Sequence, residues 1–553
     1  MKRSLLAFTL LLLSVNTQAQ HAHGPASDAK PAALTPGLGD VHHAVSTGNP
    51  EAQRFFDQGL ALVYGFNHDE AVRSFKRAAE IDPQLAMAFW GVALALGPNI
   101  NMPVDAEHEQ AAYEAVHKAM SLAAKASEAE RAYIDALARR YSNDPKADLQ
   151  KLSVDYKNAM SDVARRFPDD LDAATLYAES IMDLRPWQFW TRDGKPAEGT
   201  AEMVGVLESV LRRNPQHTGA NHYYIHAVEA SPHPEWALPS AQRLKVLAPA
   251  AGHLVHMPAH IDIRAGNYEA AARSNAYAAE ADREYFNVTG QVGMYPMMYY
   301  SHNLHFLAVA HSMQGRYQDS KRAADQLNAH LGGFLQENGP MLEPVLPLLD
   351  AFMPTPTLIM VRFRRWDDIL RTPLPDQKLT ATTALWHFGR AMAYASTGKL
   401  DSAEKERSEM VSAVKTFPAN RMYGFNTASS VFSIAENVLS ARIAMAKNDR
   451  RAAIAFLRKA LQVEDSLNYD EPEDWYIPVR ESLGGALMLK GDYSDAEGVF
   501  RGELEKHRRN GRALFGLLES LKAQGKKQAA EFVQREFEDA WKNADTKLRI
   551  EDL

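Results

Sequence analysis

Apolar residues along this chain recur with the period of an α-helix, and they do not alternate as they would in a β-strand. From Pro50 onward an apolar stripe runs through Phe55, Leu60 and Val63, and similar stripes follow in almost every window. Residues three or four apart share one face of a helix. The sequence contains no convincing run of alternating β-branched residues. The pattern therefore predicts an all-α protein built from amphipathic helices.

Turns of one kind separate many of the predicted helices. Each has a glycine where a helix is expected to end in the left-handed conformation, and most continue to a tyrosine or another large residue two positions later. The distance from Gly491 to Gly525 is 34 residues, which is the period of a common helical-hairpin repeat. The glycines of these turns are Gly266, Gly315, Gly398, Gly491 and Gly525.

Two segments match the second helix of the tetratricopeptide repeat. His68-Asp69-Glu70-Ala71 leads to Phe75 and then to Pro83, and residues 493–496 lead to Phe500. The chain therefore resembles the tetratricopeptide repeat superfamily. Residues 64–71, 96–101 and 221–229 further resemble a group of exported bacterial tetratricopeptide proteins. The resemblance implies an α-solenoid of helical hairpins that curves around an inner cavity.

The pattern divides the chain into five segments. Residues 1–19 begin with Lys2 and Arg3, continue with a short apolar run and end in a small residue, which predicts a cleaved signal peptide. Residues 20–48, rich in Ala, Pro, Gly and His, are expected to be flexible. Predicted N-terminal helical repeats cover 49–215, histidine-bearing repeats cover 216–335, and C-terminal repeats cover 336–553. The signal peptide predicts a periplasmic or secreted protein, and no later stretch has the length of an integral membrane segment.

Charge and cysteine content exclude several classes of function. The net charge is −8 and no basic block is present, which argues against nucleic acid as a partner. The chain of 553 residues has no cysteine, so disulfides, thiolate metal ligands and a lipid-modified cysteine are excluded. Phosphate-binding glycine loops, a His-Glu-x-x-His motif and a serine elbow are also absent from the sequence.

Histidines concentrate in one part of the chain and follow the repeat period. Ten of the 20 histidines fall within residues 217–311. His222 and His226 are four residues apart, so their imidazoles share a helix face. Adding the period of 34 leads to His256 and His260, again four apart. First helices of successive hairpins line the inner face of such a solenoid, so these imidazoles are predicted to meet there.

A second offset extends the histidine register to another helix. The turns at Gly266 and Gly315 are 49 residues apart, and this distance takes His253 and His256 to His302 and His305. Glu229 follows His226 by three residues and could supply an oxygen ligand or accept a hydrogen bond from a ligand. The favoured ligands are His222, His226, His256, His260 and His305, with His253 and His302 as a second choice and Glu229 beside them.

Nitrogen and carboxylate donors suit zinc, copper or iron, and nickel also fits them. Three interpretations of the histidine face stay open. The face could hold a transition metal, it could bind a small molecule or an exported protein or peptide without metal, or its histidines could be structural. A bound metal with an open position could also make the protein a hydrolytic or oxidative enzyme.

Three further clusters are candidate contacts for a ligand or partner, and each could equally be structural. Trp187 and Trp190 follow a proline that interrupts a helix, so their loop could cover a cavity or fill a gap between repeats. The loop with Asn99 and Asn101 could bind a ligand through its amides or cap a helix. A polar and aromatic rim is the third candidate, formed by Trp475, Tyr476 and Arg480. His42-His43 and His21-Ala22-His23 are weaker candidate ligands.

Overall fold

The computed structural model describes residues 32–290, 293–338 and 345–553. The predicted signal peptide at 1–19 and the His21-Ala22-His23 segment lie outside these residues. Helices and short turns make up nearly all of the regular structure described. The N-terminal half contains α1 (Pro50–Tyr64), α2 (His68–Ile81), α3 (Ala86–Leu96), α4 (Ala106–Leu122), α5 (Glu128–Leu137), α6 (Leu149–Arg166), α7 (Leu171–Met182), α8 (Thr200–Arg213), α9 (Thr218–Glu229), α10 (Leu238–Leu247), α11 (Gly252–His256), α12 (Pro258–Arg264) and α13 (Tyr268–Thr289).

A single π-helical turn, Pro296–Tyr300, leads into the second half. This half contains α14 (Ser301–Met313), α15 (Tyr317–Asn338), α16 (Leu346–Phe352), α17 (Thr355–Arg362), α18 (Trp366–Arg371), α19 (Thr380–Ser396), α20 (Leu400–Lys415), α21 (Ala428–Ala446), α22 (Arg450–Glu464), α23 (Val479–Lys490), α24 (Tyr493–Lys506), α25 (Gly511–Ala523) and α26 (Lys527–Ala540). Strands β1 (Met422–Tyr423) and β2 (Asn426–Thr427) pair antiparallel before α21. The prediction of an all-α fold is confirmed.

Helices that follow one another along the chain pack against each other as hairpins. In the two segments that match the repeat, a buried aromatic residue fills the contact between one helix and the next. Phe75 of α2 is fully buried, and a Cβ added at Gly91 of α3 would lie 2.4 Å from its ring. Phe500 of α24 has the same relation to Gly516 of α25, where a Cβ would lie 2.2 Å away. Close approach of helices therefore depends on glycine opposite the aromatic ring at both ends of the chain.

The glycine turns end helices as predicted. The backbone φ angle is positive at each of the five glycines, between 72° and 93°. This left-handed conformation favours glycine because glycine has no Cβ to clash with the following carbonyl. The predicted boundary at 215–216 lies between α8 and α9, and the one at 335–336 lies within α15.

The solenoid curves until its C-terminal part meets the histidine-bearing repeats. Tyr268 donates a hydrogen bond of 2.9 Å to the main-chain oxygen of Arg508, 240 residues away. Residues 32–48, expected to be flexible, contain no helix but lie along the N-terminal helices. There the main-chain N–H of Thr35 donates to Gln58 at 2.7 Å, and Leu38 is buried. None of the described helices combines the length and apolar character needed to cross a membrane.

Candidate metal centre

Helix α9 supplies two imidazoles and a carboxylate to the centre, and it is buried on every side. All residues from Thr218 to Glu229 are buried. His222, His226 and Glu229 follow at spacings of four and three, so their side chains lie on one face. A buried polar group is costly unless it has a partner. The direction of each imidazole nitrogen therefore determines what this face can bind.

The first histidine group consists of His222, His226 and His253. One nitrogen from each of these rings lies within 4.8 Å of the other two. The Nε2 atoms of His222 and His253 are only 3.1 Å apart, and the Nε2 atom of His226 is buried with no hydrogen-bond partner among the described residues. The ring of Phe66 packs against all three imidazoles, with centroids 4.6 to 5.8 Å away.

The second histidine group consists of His256, His260 and His302. Its ring nitrogens satisfy the same 4.8 Å limit, and the Nε2 atoms of His256 and His260 are 2.8 Å apart. His302 is the least buried of the three and lies 4.7 Å from His256 between ring centroids. Phe306, one turn further along α14, packs 5.1 Å from His256. The two groups are adjacent, because the His226 and His260 rings lie 5.8 Å apart.

Hydrogen bonds fix the Nδ1 atoms of His222 and His256, and their Nε2 atoms therefore point into the groups, whereas His253 Nδ1 is buried without a hydrogen-bond partner among the described residues. His222 Nδ1 donates to the Tyr64 carbonyl at 2.6 Å. His256 Nδ1 donates to Asn275 Oδ1 at 2.7 Å, and the Asn275 amide nitrogen is oriented by its own bond of 2.8 Å to Ala271. A carbonyl oxygen only accepts, so each of these Nδ1 atoms carries the proton. The Nε2 atoms are left with lone pairs unless a ring is doubly protonated.

Glu229 joins the two groups. One carboxylate oxygen accepts from His226 Nδ1 at 2.6 Å, and the other accepts from His260 Nδ1 at 2.5 Å. Tyr469, from the loop before α23, donates to the second oxygen at 3.1 Å. Both contacts with imidazoles use the Nδ1 atoms, which lie on the side of each ring away from the Nε2 atom that faces its group. Glu229 thus orients two candidate ligands and is not itself positioned as a ligand, an arrangement common around protein-bound metals.

The electrostatics keep most of the imidazoles neutral. Burial is the main cause that lowers the pKa of His226, and it lowers the pKa well below the ordinary value in His222, His253, His256 and His302. Burial also opposes protonation of His260, but the Glu229 carboxylate outweighs it and raises the pKa of His260. Although burial works to raise the pKa of Glu229, His260 and His226 together lower it, so the carboxylate stays charged. Neutral imidazole is the form that binds metals.

His305, one of the favoured ligands, lies apart from both groups. Residue 302 and Phe306 are four apart and face the second group together, whereas His305 lies about 60° from the first and about 100° from the second around the helix. Its ring instead packs 5.4 Å from Phe352 and 5.2 Å from Tyr476. His253 and His302, the second choice, occupy positions in the groups. The register predicted the helices correctly but not which face of α14 meets the centre.

The tryptophan loop covers the first group. Trp187 adopts a positive φ of 63°, and its ring centroid lies 5.3 Å from that of His226, with the two rings nearly perpendicular, and 5.1 Å from that of Phe425. Trp190 does not face the imidazoles. It donates from Nε1 to the Ala227 carbonyl at 2.8 Å. The loop thus packs over α9 in the way expected of a lid or plug.

The asparagine loop reaches the same group through a tyrosine. Asn101 donates to the Tyr299 hydroxyl at 3.1 Å, and the Tyr299 ring lies 4.7 Å from His253. Tyr299 belongs to the π-helical turn before α14, a feature often found at functional sites. Asn99 holds the loop, because its Oδ1 accepts from the main-chain N–H of Asn101 at 2.8 Å.

The predicted aromatic rim does not form. Trp475 is 1% exposed and packs on Phe388, and Tyr476 is 6% exposed. Arg480 pairs with Asp465 at 2.7 Å. Trp475 and Tyr476 belong to the core because the segment before α23 folds inward, and Arg480 belongs to an ion pair. A sequence rich in aromatic and charged residues does not show which of its side chains will face inward.

A third cluster of possible ligands has its polar atoms committed elsewhere. His43 Nδ1 contacts Asp172 at 2.9 Å, and Asp170 lies nearby. The Tyr64 hydroxyl donates to Asp172 at 2.5 Å, and the Tyr133 hydroxyl donates to Asp170 at 2.8 Å. This cluster ties residues 32–48 to α7 and serves the fold.

Sequence reasoning missed four residues that shape the centre. Phe66 packs against the three imidazoles of the first group, Tyr64 and Asn275 fix imidazoles, and Tyr469 contacts Glu229 from 240 residues away. The first of these residues lies in the 64–71 motif, and its positive φ of 56° was not visible in the pattern. Sequence spacing carries no information about the contact of Tyr469.

No family model matches the chain, and no curated protein matches it. Solved helical-repeat structures resemble it weakly. Yeast Tom70 has a TM-score of 0.29 and 12% identity over 88% of this chain and 90% of its own. The human IFIT1 dimer with m7Gppp-AAAA has a TM-score of 0.32 and 13% identity over 91% of this chain and 92% of its own. Because these TM-scores are too low to support an argument, the fold is assigned from the chain's own helix pairs and glycine turns. Those features make the chain an α-solenoid of helical hairpins similar to tetratricopeptide repeats.

Proposed function

We propose that this chain is a metal-binding helical-repeat protein whose two histidine groups hold a pair of transition-metal ions. The observation that carries the proposal is the 2.8 Å separation of the His256 and His260 Nε2 atoms. The Nδ1 atoms of both rings already donate to oxygens, of Asn275 and Glu229. If both rings are neutral, with their protons on Nδ1, the facing Nε2 atoms each carry a lone pair, and the two lone pairs repel each other. A cation between them removes this repulsion.

The spacing of the nitrogens is close to what a metal requires. Zinc or copper binds imidazole nitrogen at about 2.0–2.1 Å, which places two nitrogens of a tetrahedral site about 3.3 Å apart. The first group has 3.1 Å between His222 and His253, and the second group needs an outward movement of a few tenths of an ångström. The unpartnered Nε2 of His226 supplies the third donor in the first group.

The donor set favours copper or zinc. Imidazole suits copper, zinc, iron and nickel, whereas non-haem iron sites usually include a carboxylate. Glu229 is turned to the Nδ1 side of two imidazoles, so the groups offer nitrogen only. A proton shared by His256 and His260 is the metal-free alternative, and it would make one of these rings a buried imidazolium beside Glu229.

Catalysis at the same ions is a second candidate function. Each group offers three imidazoles, which leaves a fourth position for water or a substrate. His302 is only partly buried and is the most exposed imidazole of the second group. We further propose that the protein acts in the periplasm or outside the cell, which rests on the signal-like sequence of residues 1–19.

Metal titration of chelator-treated protein tests the proposal. We expect uptake of two copper or zinc ions by the wild type, and of one ion by His253→Phe or His302→Phe, each of which removes a ligand from one group. His311→Gln, on the same helix as His302 but outside both groups, should bind both ions. Absence of uptake by the wild type would contradict the metal function and leave a scaffold that binds other proteins through its concave face.

A further inference from the structure

A cleft of about 430 Å³ lies far from the histidines along the chain, between the end of α17, helix α18 and the C-terminal segment. Its volume is in the range of small-molecule sites. Seven of its fourteen lining residues carry a positive side chain, and three carry a carboxylate. The chain as a whole has a net charge of −8, so this concentration of positive charge runs against the composition.

The inner wall of the cleft is a set of crowded guanidinium groups. Arg362 and Arg512 are both buried and share the carboxylate of Glu481, with contacts of 3.0 and 2.6 Å. Arg362 Nε is buried without a hydrogen-bond partner among the described residues. Arg364, in the left-handed conformation at φ 53°, donates to the main-chain oxygens of Asp552 and Leu553 at 3.1 and 2.8 Å, and its Nη1 atom lies 3.8 Å from the Asp552 carboxylate.

The charge of Arg364 is only partly compensated, because the Asp552 carboxylate also binds Arg549. Burial lowers its pKa to about 8, and the nearby Arg442 and Arg512 contribute to the decrease. A guanidinium does not lose its proton under physiological conditions. An anion is therefore the species that would relieve this crowding.

Two exposed cations complete the mouth. Arg549 is 76% exposed and forms a bond of 3.1 Å with Asp552, and Lys547 is exposed beside it. Phe363 and Trp366 also line the cleft, which gives it apolar walls next to its charges. Flexible cations at the rim and fixed guanidiniums inside form a site that can enclose an elongated, highly charged anion.

We propose that this cleft binds an oligophosphate, either inorganic or attached to a small organic molecule. Each phosphoryl group carries one to two negative charges and several acceptor oxygens, and guanidinium groups bind such oxygens in pairs. Seven cations stand against four carboxylates once Glu481 is included, and an oligophosphate of two or three units suits the remaining excess of three positive charges. The site is independent of the histidine groups.

Equilibrium dialysis at low salt with tripolyphosphate, ATP and citrate tests the proposal. We expect saturable binding of a phosphate compound, and at least tenfold weaker binding to the double variant Lys547→Gln and Arg549→Gln. Arg212→Gln, an exposed substitution on α8 with the charge change of the single Arg549→Gln variant, should bind as the wild type does. Tighter binding of ATP would assign an organic carrier, and tighter binding of tripolyphosphate an inorganic chain.

Three results would overturn the proposal: no saturable binding, equal loss of affinity in the Arg212 variant, or citrate binding as tightly as the phosphates. Because phosphates also bind metals, the comparison rests on variants whose substitutions lie outside the histidine groups. The single Arg549→Gln variant, with its exposed side chain, guards against loss of folding in the double variant.

Discussion

Replacing Glu229 with glutamine should weaken metal binding in one histidine group and spare the other. The carboxylate accepts from two imidazole N–H groups, His226 on one oxygen and His260 on the other. A glutamine side chain has one oxygen and one NH2 group, so it can accept from only one of them. The second imidazole would face a donor and would have to turn its protonated nitrogen toward the metal.

The structure predicts which group is affected. The oxygen next to His260 also accepts from the Tyr469 hydroxyl, which can rotate and accept from an amide nitrogen instead. The amide nitrogen therefore fits best beside His260, and the second group loses an oriented ligand. Loss of such an orienting contact costs about 10–100-fold in metal affinity. This factor corresponds to about 1.4–2.7 kcal/mol.

Competition with a chromophoric chelator measures the two affinities separately. Glu229→Gln should keep one ion with the affinity of the wild type and bind the other about 10–100-fold more weakly. Glu235→Gln removes a partly buried carboxylate that pairs with His233 at 3.1 Å and belongs to neither histidine group, and it should change neither affinity. Unchanged binding of both ions by Glu229→Gln, with the helical content retained, would refute the orienting role of Glu229.

Other substitutions separate the metal centre from its surroundings. His305→Phe should retain both ions and raise the free energy of unfolding by about 1 kcal/mol, since a buried nitrogen without a partner is removed. Burial lowers the His305 pKa to about 4, so the unfolded chain binds a proton that the fold excludes below about pH 6.5. The stability gained by His305→Phe, measured by chemical denaturation, should therefore grow by up to about 3 kcal/mol as the pH falls toward 4. Loss of a metal ion from this variant would contradict the placement of His305 outside both groups. Gly219→Ala places a Cβ 2.5 Å from the Tyr64 ring, so it should cost about 1–3 kcal/mol and weaken the first group. Gly498→Ala, in open space on α24, should do neither, and equal effects in the two variants would refute the packing argument.

Helical period and repeat length were sufficient to predict the fold and half of the centre. The spacing of four residues placed His222 with His226 and His256 with His260, because an α-helix returns to the same face after one turn. The offset of 49 between glycine turns brought α14 into the site. These relations are local or periodic, and a sequence displays them directly.

The remaining features depend on contacts that have no period. His302 faces the second group and His305 does not, because the π-helical turn and the packing of α14 set its rotation. Tyr469 reaches the centre only because the solenoid curves back on itself. Trp475 was expected at a rim but is buried, since its segment folds inward and the sequence does not reveal that direction.

Elemental analysis of untagged protein from its native compartment tests the central claim most directly, beside a variant carrying His222→Ala and His256→Ala. Each substitution removes one ligand from one histidine group. The account predicts about two transition-metal ions per wild-type chain and loss of both in the variant, with the helical content preserved. No metal in either sample, and none taken up on titration, would contradict it.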